Sequence, residues 1–296
     1  MFKRVMVAVV GIPFLLLVLI WAPDWAAMVL VAGMCAIGAH ELMHAAAGEK
    51  GRRLIPLTVL AAALVPVCVY MEEQIRSAEL TALPVLPFTA ALALVFVFLL
   101  FVCGIVHYGK ETAIPFAGLT AAVFGGLVFP LMLSCLLRLR LAEHGAAWVF
   151  VPLCISFGSD TFALFAGMLC GRHKLAPHVS PKKTVEGGVG GLLGGVIGMA
   201  LFKLVVDSMH IVLTSEPPTV LAAGPQISWL AVLLLGLAGS VISQIGDLSF
   251  SVIKREFGVK DYGKLLPGHG GILDRFDSVT FVAPFVWLTL SILRNL

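Results

Sequence analysis

Long apolar runs separated by short polar connections constrain this chain more than any other feature of its sequence. A helix that crosses a bilayer needs about 17–25 mostly apolar residues. In the hydrocarbon core, only helices and closed barrels satisfy every backbone polar group. The sequence therefore predicts an all-α, polytopic integral membrane protein. Its nine predicted transmembrane helices cover residues 5–22, 25–47, 54–71, 83–106, 114–137, 147–170, 187–206, 228–250 and 278–293.

The composition excludes the common soluble classes of protein. Hydrophobic residues make up 59% of the chain and charged residues 12%, whereas soluble domains have about 45–50% and about 25%. So few charges cannot cover a water-soluble globule of this length. The net charge of +3 gives no strongly basic surface, and we expect no nucleic-acid partner. The six cysteines lie in apolar runs without a Cys-x-x-Cys pair, which is typical of small buried hydrophobic residues.

The distribution of lysine and arginine predicts the orientation of the chain. With the N-terminus in the cytoplasm, 15 of the 20 Lys and Arg residues fall on the cytoplasmic side, as the positive-inside rule requires. The first run lacks a small-x-small cleavage pattern, so we interpret it as a retained helix. Residues 1–137 then hold predicted helices one to five, and residues 138–296 hold helices six to nine, in one membrane domain. The long cytoplasmic loops 171–186 and 251–277 are the expected place for chemistry.

The seventh predicted helix is rich in glycine. Small residues four positions apart allow two helix backbones to approach closely. Packing within the fold is the interpretation we favour, and contact between two copies of the chain is the alternative. One helical face has Gly187, Gly191 and Gly195, and a neighbouring face has Gly190, Gly194 and Gly198.

The second predicted helix contains a His-Glu-x-x-His pattern at His40, Glu41 and His44. Two histidines four residues apart share a helix face and can bind zinc, with the glutamate as general base. Three fixed positions also arise by chance in about 4% of chains of this length, and no motif for a third ligand is evident. We favour a polar cavity or interface for these residues and keep an intramembrane zinc protease as the alternative.

Charged residues concentrate around the last predicted connection. Asp247, Ser251 and Arg255 are one turn apart and share a helix face, and Asp274 and Asp277 share a face at i and i+3. Carboxylates at the edge of a bilayer are costly unless neutralised. They are hard oxygen ligands that suit Mg²⁺, which also binds substrate phosphates. The residues alone predict either a phosphate and magnesium site or a loop whose charges pair with each other and with lipid head groups.

The order of residues from Ser251 to Asp277 resembles the signature of the phosphatidate cytidylyltransferases, also called CDP-diacylglycerol synthases. The signature reads Ser-x-apolar-Lys-Arg, then Lys-Asp-x-small, then apolar-Pro-x-His-Gly-Gly-apolar-x-Asp-Arg-apolar-Asp, and no position here departs from it. The segment SPKKTVEG at 180–187 resembles the other cytoplasmic block of that family, and Arg172 stands where many members have lysine. The resemblance covers 159–277 at the level of motifs. Before residue 159 only the hydropathy profile is compatible.

The resemblance implies an enzyme of phospholipid synthesis that transfers cytidylyl from CTP to phosphatidic acid and releases pyrophosphate. Because the acceptor phosphate is already an anion, the site mainly has to bring two polyanions together, as Mg²⁺ and basic side chains can do. A membrane enzyme that uses CTP on another lipid is the alternative of the same class. The resemblance and the short connections also imply a bacterial inner membrane, and the lysine and arginine distribution predicts a site that faces the cytoplasm. The glycine faces and the resemblance together imply a homodimer.

The resemblance further implies roles for individual residues. The implied metal ligands, for one Mg²⁺ or two and with a monovalent cation as an additional option, are Asp247, Asp274 and Asp277. The implied catalytic residues are Lys254, Arg255, Asp274 and Asp277. The implied substrate-binding residues are Asp160, Ser180, Lys182, Lys183, Ser251, Lys260, Asp261, His269, Gly270, Gly271 and Arg275.

Overall fold

Eight long apolar helices make up most of the structure, a computed structural model that describes residues 11, 14, 15, 17–77, 87–213, 227–263 and 270–294. Each of the eight overlaps one of the last eight predicted helices, which confirms the predicted all-α polytopic membrane protein. Half of the first predicted helix, 5–22, falls outside the described residues. The helices are α1 (Asp24–Ala46), α2 (Ile55–Ser77), α3 (Phe88–His107), α4 (Phe116–Leu141), α5 (Phe150–Cys170), α6 (Val185–Leu213), α7 (Trp229–Glu256) and α8 (Leu273–Arg294).

Helix α4 is interrupted where its sequence contains two glycines and a proline. Its regular α-helix ends at Val123, and a wider π-helical turn, Phe124–Val128, follows. A β-carbon at Gly126 would lie 2.6 Å from the ring of Phe96 in α3, and one at Gly125 would lie 3.0 Å from Leu42 in α1. The glycines therefore allow α4 to pack closely against its neighbours at this irregular turn. After it, α4 continues as Phe129–Leu133 and Cys135–Leu141.

The helices form two compact units. The first unit contains residues up to Arg138 and the segment Glu256–Phe276, and the second contains Leu139–Arg255 and the chain from Asp277 onward. The signature segment is therefore divided between the units. Its first residues and its last aspartate belong to the second unit, and the intervening loop belongs to the first.

In the first unit, α1 and α2 pack against α4 with fully buried apolar side chains. Helix α3 differs, because only Phe96 and Leu100 are buried on it. Most of its other large side chains are exposed, to 73% at Leu94 and 68% at Phe98. Apolar residues around a whole helix are typical of a membrane span, so the exposed face of α3 is suited to lipid. The buried side chains of the other helices include Cys35, Ala39, Leu42, Val65, Phe129 and Leu133.

A carboxylate of α2 binds the first turn of α3. Glu72 accepts hydrogen bonds from the backbone N–H of Thr89 at 2.7 Å and from its hydroxyl at 2.8 Å. Arg138 forms ion pairs with Glu72 at 3.4 Å and with Glu73 at 2.7 Å. No side chain caps α3 at Pro87, and Glu72 instead satisfies one of the unpaired N–H groups of this helix N-terminus.

In the second unit, the glycines of α6 lie against α5. A β-carbon at Gly194 would lie 2.5 Å from the β-carbon of Phe162, and one at Gly190 would lie 3.0 Å from its carbonyl oxygen. Packing within the fold is therefore confirmed for these glycines, and they lend no support to the predicted homodimer. The apolar core beside them contains Leu139, Val151, Ile155, Met199, Phe202, Val206, Val232, Leu235, Val282 and Val286.

The loop at 171–186 forms a β-hairpin, which the all-α prediction did not include. Strand β1 (Lys174–Ala176) pairs antiparallel with β2 (Ser180–Thr184). At the turn, the N–H of Val179 donates to the carbonyl of Ala176 at 3.2 Å. Prolines at 177 and 181 disfavour a helix here, because each lacks a backbone N–H. The loop therefore forms a short hairpin between α5 and α6.

The α5–α6 packing predicts that Gly194→Ala destabilises the protein. Its β-carbon would overlap the carbonyl oxygen of Gly158, and overpacking of this kind costs about 1–3 kcal/mol. Gly33→Ala is the matched control, because a β-carbon at this helical glycine meets nothing within 4 Å. We expect a lower melting temperature in detergent for Gly194→Ala and an unchanged or higher one for Gly33→Ala. Equal melting temperatures would contradict close packing at Gly194.

Candidate active site

Three aspartates of the second unit form a carboxylate cluster, contributed by α5 (Asp160), α7 (Asp247) and α8 (Asp277). Asp277 is only 8% exposed, and the charges of Asp160 and Asp247 both act on it. The hydroxyl of Ser278 donates to Asp160 at 3.4 Å, and its backbone N–H donates to Asp277 at 2.8 Å. The cluster thus places hard oxygen ligands from three helices in one region.

Close packing of α7 on α8 positions two of these aspartates. A β-carbon at Gly246 would lie 3.0 Å from the β-carbon of Phe281 and 3.1 Å from the carbonyl oxygen of Asp277. Gly246 directly precedes Asp247, so this close approach places Asp247 beside the first turn of α8. The hydroxyl of Ser251 donates to Asp247 at 3.3 Å. Asp247 and Ser251 therefore share a helix face, as their spacing predicts.

Two lysines compensate part of this negative charge. Lys183, from β2, forms an ion pair with Asp247, and the two side chains are 27% and 26% exposed. Lys254 is 9% exposed, and its charge acts on Asp277. Buried carboxylates are costly without such partners. The cluster therefore combines acidic oxygens with ammonium groups, a combination suited to phosphate together with a divalent cation.

The hairpin that presents Lys183 is held by the threonine and glutamate of the 180–187 motif. The hydroxyl oxygen of Thr184 accepts from the N–H of Gly187 at 3.1 Å, which caps α6. The carboxylate of Glu186 accepts from the backbone N–H groups of Arg172 at 3.1 Å and His173 at 3.2 Å. Sequence analysis assigned no role to Thr184 or Glu186. A hydroxyl residue before a helix, with a glutamate close behind it, is the signal that could have indicated capping.

At the end of α7, Arg255 binds the same hairpin. Its Nε donates to the carbonyl of Val179 at 3.0 Å, while its side chain stays exposed at the surface. Lys182 is also exposed. The second unit thus has two kinds of predicted basic residue: Lys183 and Lys254 beside the carboxylates, and Lys182 and Arg255 at the exposed surface.

In the first unit, Asp274 binds the backbone of the signature loop. Its Oδ2 accepts from the N–H of Tyr262 at 2.9 Å and of Gly271 at 3.0 Å. Gly270 has a φ of +85°, a conformation that favours glycine. Asp274 therefore helps to shape the turn that leads into α8.

Glu41 of the His-Glu-x-x-His pattern has the same kind of partner. It is 6% exposed, and its carboxylate accepts from the N–H groups of Ile272 at 3.2 Å and Leu273 at 3.0 Å. His40 and His44 are exposed, with ring centroids 4.9 Å apart. Within the described ranges, no group of three or more His, Cys, Asp or Glu residues could hold a metal ion. The arrangement gives no support to the zinc protease alternative, because the required base is bound to backbone.

The remaining predicted site residues that the structure describes lie in the hairpin, in the loop before α8 and at the exposed surface. Ser180 begins β2, and Gly270 and Gly271 lie directly before α8. Lys260, Asp261 and Arg275 of the first unit are exposed. His269 lies outside the described residues.

Comparison with known proteins identifies the family. The sequence model of the cytidylyltransferase family matches residues 2–293. The chain belongs to this family. Three of its relatives are named phosphatidate cytidylyltransferase. The one from Bacillus subtilis (strain 168) is 37% identical over 172 residues, 58% of this chain and 56% of the relative. Those from Thermotoga maritima and Staphylococcus saprophyticus are 38% identical over 153 residues and 42% over 148, covering 52% and 50% of both chains.

These alignments are partial. The chain spans about half the length of the curated relatives it matches. Membership of the cytidylyltransferase family is therefore established for nearly the whole chain, and all the named relatives above are bacterial. The activity named in these relatives is considered for this chain as a proposal.

The cap of α6 generates a prediction about Thr184. Thr184→Val keeps the shape of the side chain but removes the acceptor of the Gly187 N–H, and the loss of such a cap costs about 0.5–2 kcal/mol. Thr184→Ser keeps the hydroxyl and serves as the control. We expect thermal unfolding in detergent to show a lower melting temperature for Thr184→Val than for Thr184→Ser. Indistinguishable melting temperatures would contradict the capping role.

Proposed function

We propose that this protein transfers cytidylyl from CTP to phosphatidic acid, which yields CDP-diacylglycerol and pyrophosphate. The observation that supports this function best is the unbroken signature together with Lys183 and Lys254 at the carboxylate cluster. The names of the bacterial relatives support the same activity. The reaction joins a soluble nucleotide to a lipid. A family member made of membrane helices, three of which contribute to one polar cluster, suits that pair of substrates.

The proposed reaction is a displacement at phosphorus. An oxygen of the phosphatidate phosphate bonds to the α-phosphorus of CTP, the bond between that phosphorus and the bridging oxygen breaks, and pyrophosphate leaves with the electron pair. The attacking phosphate is already ionised, so no base is required. Lys183 and Lys254 would reduce repulsion between the two polyanions and stabilise charge on the leaving group. Exposed Lys182 and Arg255 would attract phosphates from the aqueous side.

The chemistry of the carboxylate cluster fits Mg²⁺. This ion is commonly held by one or two carboxylates, with water and substrate phosphates as its other ligands, so a cage of three protein ligands is not required. Asp247 and Asp277 would hold it, and Asp160 and Ser251 would line the site. When bound, Mg²⁺ would neutralise developing charge on the pyrophosphate. Asp274, the third predicted ligand, binds loop backbone through Oδ2, and we assign it the shaping of the turn before α8.

The location and assembly of the enzyme are part of the proposal. We place it in the bacterial inner membrane with the hairpin and the carboxylate cluster at the cytoplasmic side, on the strength of its bacterial relatives and its lysine and arginine distribution. CTP would then arrive from the cytoplasm, and phosphatidate would enter laterally with its acyl chains in lipid. The homodimer is proposed from the family resemblance alone, and light scattering of the purified protein in detergent would test it.

The first functional prediction concerns Asp277. Purified protein given CTP, Mg²⁺ and phosphatidate should release pyrophosphate, and Asp277→Asn should reduce release by about a hundredfold or more, because charge stabilisation is a large catalytic contribution. Asp207→Asn is the control, since Asp207 is 42% exposed and pairs with Lys203 in α6. We expect wild-type rates for this control. Full activity in Asp277→Asn would contradict the role of the cluster.

The second functional prediction concerns the metal and the lipid. Chelation of divalent cations should abolish pyrophosphate release, and added Mg²⁺ should restore it, because two polyanions must be neutralised at once. Among acceptors, phosphatidate should give CDP-diacylglycerol detectable by mass spectrometry. A product formed only from another lipid phosphate or lipid alcohol would favour the related CTP-dependent transferase instead. Activity that persists without divalent cations would contradict the magnesium site.

A further inference from the structure

Glu41 is an acidic residue near the C-terminal end of the apolar helix α1, and the signature does not include it. A carboxylate inside a membrane-spanning helix is costly and is usually retained for a function. Glu41 is 6% exposed, so neither water nor lipid surrounds it. The structure shows what it binds instead: the backbone N–H groups of Ile272 and Leu273, at 3.2 and 3.0 Å, at the very start of α8.

Two glycines of the signature surround this carboxylate. A β-carbon at Gly263 would lie 2.6 Å from the carboxyl carbon of Glu41, and a β-carbon at Gly271 would lie 2.5 Å from its Oε1. Any larger residue at either position would have to displace Glu41. The glycine in the small-residue position of the signature and the second glycine after its histidine therefore make room for a side chain that is more than 200 residues away in the sequence.

Asp274 is bound to the same loop. Its Oδ2 accepts from Tyr262, which precedes Gly263, and from Gly271. Glu41 and Asp274 thus divide the N–H groups of Tyr262, Gly271, Ile272 and Leu273 between them. A helix N-terminus leaves N–H groups without partners, and anionic groups there are favourable. Removal of Glu41 would leave without this acceptor the N–H groups of the two residues that precede Asp274 in the chain.

We propose that Glu41 is a positioning residue of the active site: it fixes the signature loop and the first turn of α8, the helix in which Asp277 follows one turn later. It acts through backbone and not on substrate. The His-Glu-x-x-His pattern then has a different explanation from metal binding, since its glutamate serves the distant signature and its histidines are exposed. The catalytic part of this inference depends on the proposed cytidylyl transfer, and the positioning part does not.

Steric coupling between Glu41 and Gly263 tests the positioning part without any assay of activity. Gly263→Ala should lower the melting temperature in detergent, because its β-carbon overlaps the Glu41 carboxylate. In a Glu41→Ala background, the same change should lower it by less than half as much, since the obstructing group is absent. Hydrogen exchange should also be faster at the amides of Ile272 and Leu273 in Glu41→Ala. Additive losses with unchanged exchange would overturn the proposal.

Kinetics separate positioning from general stabilisation. Glu41→Gln places an amide N–H donor against a backbone N–H donor, so the loop should shift. This shift should lower kcat by about ten- to hundredfold. The KM for CTP should stay within about twofold, because the phosphate-binding lysines are unchanged. Glu72→Gln is the matched control, because Glu72 is also buried and also binds a helix N-terminus. It should lower the melting temperature and keep the kcat of the folded enzyme.

The kcat values of Glu41→Gln and Glu72→Gln distinguish the two explanations. A kcat reduced only in Glu41→Gln supports the positioning role, and similar kcat values in both variants overturn it. A wild-type protein that releases no pyrophosphate contradicts the proposed function, while the Gly263 coupling and the hydrogen exchange still decide whether Glu41 holds the loop.

Discussion

The pairing of buried backbone N–H groups is the constraint on which the rest of this structure depends. An apolar environment offers no water to an N–H group at a helix start or in a turn, so a side chain must accept its hydrogen bond. Three carboxylates do so: Glu72 binds the start of α3, Glu41 binds the start of α8, and Asp274 binds the loop before α8. Together these contacts determine where the functional segments lie.

The same scarcity of charge explains how the signature is used. Only 12% of the residues are charged, and the acidic residues of the signature have specific partners in the structure. In the first unit Asp274 is bonded to backbone and shapes a turn. In the second unit Asp247 is paired with Lys183, and Asp277 is buried near Lys254. The acidic residues of the signature therefore have two kinds of partner in the structure, backbone N–H groups and lysines, and the sequence pattern alone does not distinguish them.

Sequence patterns predicted the membrane spans well because hydrophobicity is summed over about twenty residues, and a small error in any one residue changes little. The face shared by Asp247 and Ser251 was predictable for a related reason, since helical periodicity relates residues one turn apart. The partners of Glu41 were not predictable in this way. Its local pattern favoured a polar cavity or interface, with zinc binding as the alternative, but its partners are in the last connection of the chain. No periodicity relates the two segments. The roles of Thr184 and Glu186 could have been predicted more easily than that of Glu41, because helix capping depends on residues that are close together in the sequence.

The sequence by itself determined the class of this protein: its apolar spans and its family through a contiguous signature, with aspartates, lysines and glycines at defined spacing as the candidate site residues. These are properties of neighbouring residues, which covalent geometry and helical periodicity relate directly. Only the tertiary structure decided that Asp160 joins Asp247 and Asp277, that Lys183 pairs with Asp247, and that two signature glycines enclose Glu41. Such contacts depend on how distant helices pack, and packing is determined by the shapes of all the side chains together.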